Sequence, residues 1–135
     1  MITNHLTIIG WLLILLASIH IIFPKYFNWK RELASLSLIN REMMQVHTFF
    51  IALTVFGMGV LCIGSAEELV ATSLGKKMLL GMAIFWSIRM LMQFFVYSSK
   101  LWKGKTFETV VHILFSFLWV YLSLIFWTAW NQNGS

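Results

Sequence analysis

The chain contains no aspartate; its acidic residues are Glu32, Glu42, Glu67, Glu68 and Glu108. That absence removes the Asp-rich motifs that hold Mg²⁺ on a diphosphate, and with them the usual membrane prenyl and phospho-alcohol transfers. Cysteine is nearly as scarce. With Cys62 alone, an intrachain disulfide, a CxxC redox pair, a Cys-rich metal site and covalent haem attachment through CxxCH are all excluded. Proline occurs once, at Pro24. Charge of either sign is rare: 11% of the 135 residues are charged, where soluble domains run near ~25%.

What fills the space is apolar. Hydrophobic residues make up 59% of the chain and aromatic residues 16%. The apolar residues gather into four runs, each near the ~20 residues a helix needs to cross the hydrocarbon core. They predict spans over residues 6–23, 43–63, 78–98 and 107–130. The expected fold is therefore all-α, an integral membrane four-helix bundle of up-down topology forming one domain over residues 1–135. The first run has no basic residue before it and no small-residue cleavage pattern after it, so it reads as a retained helix that Pro24 ends. Residues 26–39 mix Trp29, Leu33, Leu36, Leu38 and Ile39 with charges, and read either as a short interfacial helix or as an extension of the second span. Asn131 to Ser135 read as a frayed tail.

The formal charge is +5, and Lys and Arg sit in short loops rather than on a basic face. This suits anionic lipid head groups and excludes nucleic acid as a partner. Lys25, Lys30, Arg31 and Arg41 flank the first loop, and Lys100, Lys103 and Lys105 the third. By the positive-inside rule both loops face the cytoplasm, which puts both termini on the non-cytoplasmic side. The expected location is a bacterial cytoplasmic membrane, with the chain acting as a homo-oligomer or as a subunit of a membrane complex.

Ionisable residues inside a bilayer cost ~2.5–3.5 kcal/mol at a helix centre, so they usually face the protein interior and mark function. Counted from the cytoplasmic ends at about 3.6 residues per turn, His20, His47, Gln93 and His112 fall at similar depth. Arg89 lies one turn deeper, Glu108 and Tyr97 one turn shallower. Arg89, Gln93 and Tyr97 recur every four residues on the third span; Glu108, His112, Ser116, Trp119 and Ser123 form a stripe on the fourth. His20 shares its side with Ile9, Leu13 and Leu16. Trp86 and Trp119 lie deep beside the polar stripes.

Two chemistries fit this set. In the first, His47 and His112 reach across the bundle to ligate haem b or a transition metal, with His20 as a further ligand and Gln93 and Tyr97 beside the cofactor. In the second, no metal is used. Arg89 binds the anionic head or enolate-like oxygen of a lipophilic small molecule, and Glu108, His47 or His112 moves protons. A proton-coupled carrier is a third possibility, since intramembrane Glu and His chains relay protons. Structural readings stand beside these: Arg89 can bond carbonyls or pair with Glu108, and intramembrane histidines can simply join helices.

Overall fold

A computed structural model of the protein describes residues 1–96 and 104–135. Among these residues six helices follow one another: α1 Ile2–Tyr26, α2 Trp29–Glu32, α3 Leu38–Gly64, α4 Ala66–Ala71, α5 Ser73–Phe95 and α6 Thr106–Gln132. Among the described residues there is no strand. Four of these described helices, α1, α3, α5 and α6, are long and apolar enough to cross a membrane. Helices are the expected outcome, because a single span has no water to satisfy its backbone and must satisfy it internally. The chain gathers into two compact units, one of residues Leu6–Ala66 and the other of Met1–His5 with Glu67–Ser135.

In the unit Leu6–Ala66, α1 buries Leu6, Ile9, Gly10, Leu13, Leu16 and Ala17, while α3 buries Ala52, Val55, Gly59 and Cys62. The steps of three and four make each set one face. The two faces meet through glycine. A Cβ placed on Gly59 would lie 2.7 Å from the Gly10 carbonyl oxygen and 2.9 Å from Ile14, and one on Gly10 would meet Ile63 and the Gly59 carbonyl oxygen. Gly10 beside Ile63 and Gly59 beside Ile14 make the helices antiparallel. Close backbone approach of this kind is how helices gain packing in lipid, where no hydrophobic difference drives them together.

Pro24 does not end α1, which continues to Tyr26. So near the helix end, proline removes only the donor that the His20 carbonyl would have used, and the bond from Phe27 N to the Phe23 oxygen, three residues on, still forms at 2.9 Å. A single turn, α2, buries Trp29 after Asn28, which takes the left-handed conformation asparagine tolerates. Five residues from Leu38 then extend α3 beyond its apolar run, with Ser37 as the N-cap accepting from Asn40 N.

In the other unit α5 starts earlier than its apolar run, at Ser73, because Thr72 caps it: Thr72 Oγ1 accepts from Gly75 N at 3.0 Å and donates to the Glu68 oxygen at 2.8 Å. Gly75 lies so close to Glu68 and Leu69 of α4 that a side chain there would meet their backbone. Nor is the C-terminal segment frayed. Asn133 is 1% exposed; its Nδ2 donates to the carbonyls of Leu69 at 2.7 Å and Thr72 at 2.9 Å, and its Oδ1 accepts from Ser135 N at 2.9 Å. Lys76 adds a bond from Nζ to the Ser135 oxygen and lies over the Trp130 ring. Asn133→Ala should therefore lower unfolding free energy by about 2 kcal/mol, leaving buried carbonyls without their donor. Exposed Asn131→Ala should change it by less than ~0.5 kcal/mol. Equal values for the two, in denaturant titration of the micellar protein, would show that the clasp contributes nothing.

Candidate functional site

Helices α5 and α6 pack against each other, and their bonds run antiparallel: Gln93 meets His112, whereas Ser87 accepts from Trp127 Nε1 at 2.8 Å. Near the Gln93 end four polar or aromatic side chains form a network. Gln93 is its centre and is 5% exposed. Its Oε1 accepts from Arg89 Nη1 at 3.3 Å and from Trp119 Nε1 at 3.3 Å. Its Nε2 lies 2.8 Å from His112 Nδ1 and 3.5 Å from the His112 carbonyl oxygen. The Arg89 guanidinium carbon stands 4.7 Å over the Trp119 ring, a cation–π arrangement. Trp119 in turn stacks with Trp86, 5.3 Å between centroids and 12° between planes, and with Phe115 at 5.6 Å and 22°.

The donors around Gln93 decide its orientation. Arginine and indole nitrogens can only donate, so the amide oxygen must be the atom they share. The amide nitrogen then faces His112 Nδ1 as a donor, and Nδ1 must accept. In neutral His112 the proton accordingly sits on Nε2. This tautomer offers a donor from Nε2 rather than a lone pair. A metal or haem iron bound at His112 Nε2 would need the opposite tautomer, with Nδ1 donating, and Gln93 would have to turn its amide over and give up both Arg89 and Trp119.

The remaining expected residues lie as follows. His20 is half-buried on α1, and its Nδ1 donates to the Leu16 carbonyl oxygen at 2.8 Å; the lone pair of the neutral ring is thus on Nε2. His47 is exposed on α3. Glu108 is exposed in the first turn of α6, where a carboxylate complements the positive helix end. Tyr97 lies outside the described residues. Among the described residues no group of three or more His, Cys, Asp or Glu is placed to hold a metal ion. The structure therefore brings together Arg89, Gln93 and His112, with Trp119 as the residue that completes them. Sequence periodicity puts Trp119 on the right stripe, but its indole N–H as the second lock on Gln93 has no sequence signal. His5 is likewise engaged, its Nδ1 2.8 Å from Tyr121 Oη.

Comparison with models of protein families, with curated proteins and with solved structures finds no match to this chain.

Proposed function

We propose that this is a metal-free membrane protein acting on a lipophilic molecule that carries an ionised or carbonyl oxygen, held against the α5–α6 pair. The observation that carries this reading is the locked amide of Gln93, which leaves His112 as an Nε2–H donor on the same network that fixes the Arg89 guanidinium on Trp119. Arg89 supplies the charge that stabilises an oxyanion or enolate-like oxygen, an interaction strong in a low-dielectric setting. His112 supplies the proton. Glu108, four residues before His112 on the same helix face and exposed, returns that proton from the aqueous side. The basic first and third loops support a cytoplasmic setting for this end.

The test uses tetradecanoate and tetradecanol, which differ only in the head group, with purified protein in nanodiscs. The acid should bind the wild type about tenfold more tightly than the alcohol, as a charge-assisted bond implies. Arg89→Leu should abolish that preference. Equal affinity for acid and alcohol in the wild type would overturn the reading. So would a Soret band or stoichiometric iron, copper or zinc in the same sample that is lost in His20→Ala, His47→Ala or His112→Ala, since that outcome assigns the histidines to a haem or metal centre.

A further inference from the structure

Hydroxyls in the long helices of this protein usually satisfy themselves. Ser18, Thr48, Thr54, Ser116 and Thr128 each donate to the carbonyl four residues back, at 2.7–3.0 Å. Ser123 departs from this pattern. It is 4% exposed, yet its Oγ has no hydrogen-bond partner among the described residues. One other side chain shares that condition: Trp86, 2% exposed, whose Nε1 has no acceptor among them. Both belong to the α5–α6 pair, and both adjoin Trp119. Trp86 stacks on it, and Ser123 follows it by one turn on the same face of α6. An unsatisfied donor in hydrocarbon costs several kcal/mol, so two of them, each next to Trp119, are expected only where something supplies an acceptor.

We infer that Trp86 Nε1 and Ser123 Oγ form a second recognition point, which takes an uncharged oxygen of the same lipophilic ligand, a carbonyl or ether set back from its charged head. The inference rests on the proposed function and narrows its substrate class. Both groups are neutral donors, so they suit an oxygen that stays uncharged, whereas Arg89 suits one that carries or gains charge. Trp86 precedes Arg89 by three residues and Gln93 by seven, or about 5 and 10 Å along the helix axis. The ligand is therefore a chain or ring system with two oxygen centres a few carbons apart, flanked by indole surface. A simple fatty acid, with one oxygen centre, fills only half of the site.

The test compares tetradecanoate with a series of keto-tetradecanoates bearing the carbonyl at successive carbons. In the wild type one narrow set of positions should bind about fivefold more tightly than tetradecanoate, the worth of one or two neutral hydrogen bonds. The ratio of keto acid to plain acid should fall to about one in Trp86→Phe and in Ser123→Ala. Because it is a ratio within each variant, it survives any common loss of affinity, and Ser123→Ala is small enough to fold should Trp86→Phe fail. If tetradecanoate binds but no keto position improves on it, this inference fails while the head-group reading stands; if tetradecanoate itself shows no preference over tetradecanol, the head-group reading fails first. A water held by the two donors is the competing occupant. It predicts no keto advantage and a lower melting temperature in both variants without ligand, a result that would also overturn the proposal.

Discussion

Gly59→Leu is expected to disrupt the α1–α3 pair, at a cost on the order of 3 kcal/mol or more. The added Cβ alone would stand 2.7 Å from the Gly10 carbonyl oxygen and 3.2 Å from Ile14 N. These are backbone atoms of another helix, which cannot rotate aside as a flexible side chain does. The helices must separate, and every contact along the seam from Leu6 to Ala17 loosens with them. Overpacking a close-packed interior typically costs ~1–3 kcal/mol, and a backbone collision belongs at the upper end. Gly10→Ala should be milder because it adds a single methyl group, although that methyl too would stand 2.8 Å from a backbone oxygen, that of Gly59. The double variant Gly10→Ala with Gly59→Ala should cost less than the sum, because one separation of the helices accommodates both methyl groups. Gly57 and Gly81 face open space; alanine there should be neutral or stabilising by up to ~1 kcal/mol through helix propensity. Strict additivity of the two glycine variants, measured by denaturant titration in mixed micelles, would show that the crossing is not shared.

Gln93→Leu is expected to cost between about 2 and 5 kcal/mol and to remove the acid-over-alcohol preference with it. The substitution keeps volume but deletes the acceptor used by Arg89 and Trp119 and the donor used by His112. Hydrogen bonds between membrane helices average only ~0.6 kcal/mol. Removing one partner is worse than that average, because the groups left behind keep their desolvation penalty. Gln93→Glu separates the network's chemistry from its shape. In the ionised form one carboxylate oxygen still accepts from Arg89 and Trp119, but the other now faces the His112 Nδ1 lone pair, an arrangement that a protonated Nδ1 relieves. The variant should fold better than Gln93→Leu while His112 changes state, which nitrogen chemical shifts of the labelled imidazole would report. Unchanged shifts in Gln93→Glu, in a sample whose infrared spectrum shows the introduced carboxyl ionised, would mean that Gln93 does not set the tautomer.

The bilayer explains which parts of this structure can be read from composition. Each span must be a helix and must be apolar, so the four runs announce α1, α3, α5 and α6 directly. Their ends are less visible because polar residues continue a helix once it has begun: Thr3 and Asn4 in α1, Lys76 and Lys77 in α5, and Asn40 and Arg41 in α3. The faces are also legible. Arg89 with Gln93, and His112 with Trp119 and Ser123, follow from spacing alone. What periodicity does not carry is which face meets which, and the pairing of α5 with α6 is what gathers Arg89, Gln93 and His112. Proton placement on His112 depends on two donors from separate helices, so no local pattern encodes it. Asn133 is hidden for a related reason. It sits in a polar segment that resembles any loose end, and its partners Leu69 and Thr72 are remote in sequence.

The self-satisfied hydroxyls divide labour among the helices. In α1 and α3, Ser18, Thr48 and Thr54 turn their hydrogens back onto their own backbones, so to anything outside the helix they resemble alanine and valine. A chain in which Ser18 becomes alanine and both threonines become valine, with Gly10 and Gly59 untouched, would keep the same crossing from a plainer alphabet. The sequence freedom of this small protein is thus unevenly spread. One helix pair tolerates rewriting so long as its glycines remain, while the other carries nearly all of its chemical meaning in a few positions.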